Sequence, residues 1–198
     1  GVEVQFIQLQ QGMAPVASAT SNAQGVFHFD SVEKFGGSPA LLQAAYQGAT
    51  YSQPLMSPQT MANGIEIVVY EATHDKNFVA VKEHAIFLRP AGGELAVIEQ
   101  ISIANDSKPP KTYVNSEGTY LFSLPGKLRG ELQASIEGAA GMPIPQAPDA
   151  RKDPNSFAIT YPIRPGESQV RLQYTLDYQS PSRFSKPLDQ PGEQTHIL

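Results

Sequence analysis

Histidine side chains can bind metals or transfer protons, and this sequence holds four of them, His28, His74, His84 and His196. Zinc ligands commonly recur at short, fixed spacings along a chain, as in the H-E-x-x-H motif. No two of these histidines are two or four residues apart, and that motif is absent. The sequence therefore predicts no histidine metal site, and it indicates no cofactor.

Nucleophilic catalysis has no signature either. The chain has no Cys and no G-x-S-x-G elbow, and its glycine-rich stretch PAGGE, at 90–94, lacks the lysine of a phosphate loop. Carboxylate pairs of the glycosidase type are spaced in three dimensions rather than in sequence, so no pair can be singled out. The prediction is a protein that is not an enzyme and has no catalytic residues.

Calcium binding is left open by the sequence. Two short segments offer the oxygen ligands that this ion prefers, from Asn105, Asp106, Asn115 and Glu117. A D-x-D-x-D-G loop is absent. The same residue types also close turns through side-chain hydrogen bonds, which explains their presence without an ion.

The composition is that of a globular protein. The 198 residues are 40% hydrophobic and 17% charged, and the net charge of −5 comes without a basic block, which excludes a nucleic-acid footprint. The length suits one large domain or two small ones. No stretch approaches the roughly 18 apolar residues of a transmembrane helix. Without Cys the chain forms no disulfides.

Alternation of apolar and polar residues dominates the chain, as is typical of half-buried β-strands. The segment SPALLQAAYQGA, at 38–49, fits either a short helix or a strand that ends at Tyr46. Several short strands of this kind predict an all-β fold, either a sandwich or a barrel. The alternating runs are Val2, Val4 and Phe6; Phe27 and Phe29; Ile65, Ile67 and Val69; Leu95 and Val97; Ile101 and Ile103; Tyr120 and Phe122; and Val170, Leu172 and Tyr174.

An internal repeat runs through the sequence. SNAQGVFHF at 21–29 returns as VNSEGTYLF at 114–122, with the shared Asn, Gly and aromatic residues at an offset of 93. LQAAYQGA at 42–49 returns as LQASIEGA at 132–139, and GIEIVVYEAT at 64–73 resembles SQVRLQYTLDY at 168–178 in its alternation. Three blocks in the same order predict a tandem duplication. In each copy we expect Asn and Gly to close a turn and the aromatics to enter a core.

The first copy resembles a known family, the carboxypeptidase-regulatory-like domain, which is a transthyretin-like β-sandwich. The resemblance lies in GVEVQFIQLQ, SATSNAQGVFHFDSV, LLQAAYQGATY and IEIVVYEAT, and it covers residues 1–73. The second half is a looser match. The resemblance implies two tandem transthyretin-like or immunoglobulin-like sandwiches and no peptidase activity. It also implies an extracytoplasmic location, periplasmic or at the surface of a bacterial cell, with membrane anchoring through residues outside this chain.

The expected domains are 1–73, 78–178 with a long Pro-rich insertion at 138–165, and an extended Pro-rich arm or linker at 179–198. Gly1 opens directly on the second strand of the family pattern, so domain 1 is expected to lack its first strand. The strand at 2–9 would then form an open edge, and open edges invite pairing with other chains. We expect upstream residues or a partner's strand to cover it.

Binding of other protein subunits is the predicted function, as a structural or accessory component of a membrane-associated complex or surface assembly. The candidate partner contacts are Val2, Val4, Phe6, Met142, Ile144, Arg151 and Phe184. The alternative is a carbohydrate-binding module with stacking platforms at Tyr46, Tyr51, Tyr113 and Tyr161. The lack of Trp disfavours that alternative, because Trp is well suited to stacking.

Overall fold

A computed structural model describes residues 1–8, 14–30, 39–55, 64–138, 143–180 and 182–198. Their regular structure is β throughout, apart from one 3-10 turn at Lys76–Phe78, so the prediction of an all-β protein is confirmed. The chain divides into two compact units, Gly1–Glu71 and Ala72–Leu198. None of the described residues belongs to a helix that is long and apolar enough to span a membrane.

Unit 1 contains one antiparallel sheet in the order β2-β1-β3-β4. Its strands are β1 (Glu3–Gln8), β2 (Pro15–Thr20), β3 (Ala40–Tyr46) and β4 (Ala49–Leu55). Apolar residues face each other across the ladder, with Val4 opposite Ala44 and Phe6 opposite Leu42. Because side chains alternate between the faces of a strand, these pairs give the sheet one continuous apolar face.

The position of β1 contradicts the prediction of an open edge at residues 2–9. β1 is paired on both sides, with β2 from Glu3 to Ile7 and with β3 from Glu3 to Gln8. Among the described strands the edges of this sheet are β2 and β4. The prediction was wrong because it placed strands by comparison with the second copy, whereas β3 returns directly beside β1.

Two further strand predictions in unit 1 were also wrong. Residues 27–29 and 64–70 form no strand. Their side chains still alternate between exposed and half-buried, at 26–30 and at 64–69, as in an extended segment. Period two therefore identified the alternating burial correctly. A strand also needs a neighbouring backbone to pair with, and local sequence does not specify that neighbour.

Unit 2 is built on a six-stranded sheet in the order β11-β10-β14-β7-β6-β15. Its pairs are antiparallel except β15 with β6, which is parallel. The long central ladders join β7 to β14 and to β6. The strands are β6 (Val79–Ala91), β7 (Glu94–Asn105), β10 (Gln133–Glu137), β11 (Ile144–Gln146), β14 (Gly166–Asp177) and β15 (Gln194–Ile197).

Two smaller sheets complete unit 2. One has the order β12-β13-β9, from Asp149–Ala150, Ser156–Ile159 and Tyr120–Ser123, and the other pairs β5 (Ala72–Thr73) with β8 (Thr112–Tyr113). Buried residues of the three-stranded and six-stranded sheets belong to one hydrophobic cluster. The Pro-rich insertion supplies β11, β12 and β13, so it is part of the unit's sheets rather than an excursion from them.

The C-terminal arm packs on unit 2. Phe184 is partly buried against the hydrophobic cluster, and Gln190 Oε1 accepts a hydrogen bond from the Leu121 backbone N–H at 3.1 Å. The last strand, β15, then adds to the edge of β6. The arm is irregular over much of its length, as Pro-rich segments are, but its contacts fasten it to the unit from which it emerges.

The turn of the repeated block has the same hydrogen bond and a positive-φ glycine in both copies, but the two copies differ in structure after the turn. Asn22 Oδ1 accepts from the Gln24 backbone N–H, and the Asn115 side chain accepts from Glu117 in the same way. Gly25 and Gly118 both have positive φ, 81° and 124°. After the turn the copies differ, because residues 120–123 form β9 whereas 27–29 form no strand. The third block also differs: β14 lies between β7 and β10, whereas 64–70 forms no strand.

Candidate functional site

A groove of about 690 Å³ lies on the apolar face of the unit 1 sheet. Its floor is formed by Phe6, Leu42 and Leu55, which are all buried. Its walls are the two segments that form no strand, residues 24–29 on one side and 64–67 on the other. The groove is therefore bounded by a rigid sheet and by two backbone segments without ladder partners among the described residues.

Aromatic contacts hold both segments over the sheet. The ring centroid of Phe29 lies 6.1 Å from that of Phe6, in an edge-to-face arrangement. The other segment continues to Tyr70, whose carbonyl accepts a 3.0 Å hydrogen bond from the Tyr51 hydroxyl. Edge-to-face pairs of this kind contribute about 0.5–1.5 kcal/mol beyond the area they bury. The segments are thus anchored through side chains.

Each segment also exposes a large aliphatic side chain. Val26 is 62% exposed and Val68 is 55% exposed. Isolated surface valines are common, but these two lie on the two unpaired segments beside an open apolar groove. The ionisable side chains nearby are His28 and Asp30, whose Nε2 and Oδ1 atoms lie 3.6 Å apart, and Glu66. The combination can bind a chain that offers apolar side chains and backbone hydrogen-bonding groups.

A second polar feature lies inside unit 2, where an ionised cluster is enclosed in the core. Glu99 is fully buried and accepts hydrogen bonds from His84 Nε2 at 2.6 Å and from the Tyr174 hydroxyl at 2.5 Å. Lys186 Nζ, on the arm, lies 3.1 Å from Glu99 Oε1 and donates to the Ser123 carbonyl at 2.5 Å. The cluster therefore joins the arm to β6, β7, β9 and β14.

The hydrogen-bond pattern fixes the role of each member. His84 Nδ1 is buried and has no partner among the described residues, so the tautomer that donates from Nε2 to Glu99 suits the site best. Lys186 supplies a positive charge that balances the carboxylate. All four side chains are almost completely enclosed. The cluster is closed to substrates in this structure, and its chemistry is that of a structural ion pair.

The electrostatics of Glu99 follow from these contacts. Burial by itself would raise the pKa of Glu99, but the His84 hydrogen bond, the Lys186 charge and the Tyr174 hydrogen bond together hold it below its ordinary value. Burial, followed by the charge of Glu99, raises the pKa of Tyr174 and of Tyr120 far above the usual range of a phenol. Glu99 is therefore ionised and both tyrosines are neutral at pH 7.

Acid should destabilise unit 2 through this carboxylate. A group whose pKa is lowered by folding stabilises the native state above its unfolded pKa, about 4.3 for Glu, and loses that contribution as the pH falls through the folded value. We expect the free energy of unfolding of unit 2 to fall below about pH 4.3, and to fall less steeply in Glu99→Gln. Urea titrations from pH 7 to pH 3 would measure both slopes. Identical slopes would contradict the prediction.

Sequence reasoning missed this cluster, although β7 contains a signal. Leu95, Val97, Ile101 and Ile103 share the buried face of the strand, and Glu99 occupies the intervening position of the same period-two series. A carboxylate in phase with core residues is costly to bury unless it is paired. No comparable local signal exists for Lys186, which lies in the irregular arm.

The predicted partner contacts occupy different environments. Val4 and Phe6 are 3% exposed within unit 1, where Phe6 forms part of the groove floor, and Val2 is half-buried. Ile144 is 40% exposed on β11, which pairs with β10. Arg151 is exposed. These predicted residues do not converge on one surface of a single unit.

The remaining predicted residues are also dispersed. Phe184 is half-buried against the core of unit 2, and Met142 lies outside the described residues. Of the four tyrosines expected to stack on sugars, Tyr51 and Tyr113 are buried at 2% and 5% exposure. Buried rings cannot form a stacking platform, so that part of the carbohydrate prediction was wrong.

In the two turns for which the sequence left calcium binding open, the asparagine side-chain oxygens accept hydrogen bonds from the protein's own backbone. Asn105 Oδ1 accepts from the Ser107 backbone N–H, and Asn115 Oδ1 accepts from that of Glu117. Within the described part of the chain, no three His, Asp or Glu side chains come together as ligands of a metal ion. The turn interpretation accounts for both asparagines.

Comparisons with known proteins do not assign this chain to a family. No family model matches the chain, and no curated protein matches it. Structure alone therefore defines the class: an all-β protein of two compact units, one with an open apolar groove and one with an enclosed ion-pair cluster.

Proposed function

We propose that this chain is a non-catalytic structural or accessory subunit that binds other proteins, and that the groove of unit 1 is its docking site. The observation that carries the proposal is an apolar groove walled by two segments without ladder partners among the described residues, each with an exposed valine. Uncovered apolar surface of this kind marks interaction sites on folded proteins.

The architecture fits that role. The proposal treats each unit as a β-sandwich of the transthyretin-like or immunoglobulin-like type, related to the carboxypeptidase-regulatory-like domain. It is supported by the repeated Asn–Gly turn and by the hydrophobic cluster that the two larger sheets of unit 2 share. Such sandwiches serve widely as rigid scaffolds, and the function lies in the sites they present. An extracytoplasmic location at a bacterial envelope remains part of the proposal.

Site-specific photo-crosslinking would test protein binding. A photo-reactive phenylalanine analogue at Val26 should give discrete adducts with a defined polypeptide in the native cells, because that side chain lies exposed beside the groove. Glu167, which is exposed on β14 in unit 2, is the control site. Adducts from Val26 alone would support docking at the groove.

Other outcomes separate the alternatives. Adducts from the Glu167 site alone would retain protein binding but move it away from the groove. No adduct from either site, together with specific binding on a glycan array, would replace the proposal with a carbohydrate-binding module.

A further inference from the structure

In unit 2, a strand covers the segment that corresponds to one wall of the unit 1 groove. In unit 2 the repeated block forms β9, which pairs antiparallel with β13. β13 comes from the Pro-rich insertion between the second and third repeated blocks, and domain 1 has no counterpart of that insertion. The corresponding segment of unit 1, 27–29, has no ladder partner among the described residues. Among the described residues, β9 thus has a ladder partner that 27–29 lacks.

Equivalent positions of the two copies differ in exposure and in the space around them. Thr119 is 1% exposed beside β13, whereas Val26, at the same position of the repeat, is 62% exposed. A Cβ built on Gly118 would lie 2.8 Å from the Cβ of Ala158 on β13. A Cβ built on Gly25 would meet no atom within 4 Å among the described residues. Where β13 fills this site in unit 2, no described residue of unit 1 fills the equivalent site.

We infer that the groove of unit 1 binds an extended segment of a partner protein as an antiparallel strand along residues 27–30. This inference rests on the proposed protein-binding function and specifies its ligand. Strand addition supplies affinity through backbone hydrogen bonds, and alternate side chains supply specificity in pockets. The occupant is a strand of the β13 type that enters from another polypeptide.

The register of unit 2 specifies the side chains of that strand. Phe157 lies opposite Phe122, with ring centroids 5.6 Å apart and nearly parallel planes. Shifted by the repeat offset of 93, this position places an aromatic residue of the partner opposite Phe29. The next partner residue is small, as Ala158 is, because it passes close to the glycine of the turn.

Charge complementarity specifies a further position. Ser156 of β13 lies opposite Ser123, whose counterpart in unit 1 is Asp30. Asp30, next to the groove lining, and Glu66, on the other segment, are both exposed, so each segment carries one carboxylate near the groove. Opposite charges across paired strands are stabilising and like charges are not. The partner segment therefore carries Lys or Arg opposite Asp30.

A synthetic peptide with the sequence of residues 154–161, PNSFAITY, is a suitable probe, and a second peptide would have lysine in place of its serine. Titrated into the full chain, the lysine peptide should shift the backbone amides of 24–29 and 64–67 saturably, and it should bind more tightly than the serine peptide. Val26→Asp should weaken binding by about tenfold or more. Ile144→Asp, at an exposed aliphatic site on β11 of unit 2, should not.

Four results would overturn the inference. They are no saturable shift, shifts at 120–123 instead because the peptide displaces β13, equal binding to the Val26 and Ile144 variants, or self-association of the chain that the peptide blocks. The last would assign the groove to a second copy. If the peptide fails while Val26 still crosslinks to a partner, the proposed function stands and only the strand mode is rejected.

Discussion

Replacing Glu99 with glutamine should lower the free energy of unfolding of unit 2 by about 3–5 kcal/mol. The variant leaves Lys186 buried with no counter-charge, since Glu99 Oε1 at 3.1 Å is the only carboxylate oxygen within ion-pair distance of its Nζ among the described residues. An uncompensated buried charge costs more than the native pair contributes. Urea unfolding, followed by hydrogen exchange of the β7 amides, would measure this change in unit 2.

A matched control lies on the same strand. Glu94 is partly exposed and lies 3.3 Å from Arg129, so Glu94→Gln should cost only about 0–1 kcal/mol. Replacing both members of the buried pair, in Glu99→Leu with Lys186→Met, should restore much of the stability lost in Glu99→Gln, because no charge is then left unpaired. A loss below about 1 kcal/mol in Glu99→Gln would show that water reaches the cluster.

Truncating Phe122 to alanine should cost about 3–5 kcal/mol, the range for a buried aromatic side chain. Phe122 is 2% exposed. It stacks on Tyr120 and Phe157 at centroid distances of 6.0 and 5.6 Å. The cavity left behind would lie within the hydrophobic cluster that the two larger sheets of unit 2 share, which limits collapse. Urea unfolding of unit 2, with the β9 and β13 amides as reporters, would measure the loss.

The repeat provides the control for this substitution. Phe29 occupies the equivalent position in unit 1 but is only half-buried beside the groove, so Phe29→Ala should cost less than about 2 kcal/mol. The sequence alone predicts equal losses at the two sites. Equal measured losses would mean that Phe29 is as fully covered in solution as Phe122, and that something in the chain already fills the groove.

Local sequence patterns correctly predicted the features that depend only on short segments of the chain. Period-two alternation identified β1, β9 and β14, and the Asn–Gly spacing identified both turns, because side-chain periodicity and positive φ are properties of short segments. The same reasoning failed at 27–29 and 64–70. There the alternation was correct and the neighbouring strand was absent from the described structure.

Sequence by itself determined that this protein is all-β, that it carries a repeated turn, and which side chains of β1, β7, β9 and β14 face inward. Tertiary structure alone decided that β1 is central, that Lys186 reaches Glu99 from 87 residues further along the chain, and that Val26 lies exposed where Thr119 is covered. Strand order, ion pairing and coverage each depend on contacts between distant segments. The energies of such contacts depend on which segments lie close together in space. The residue types and spacing within one segment do not specify this.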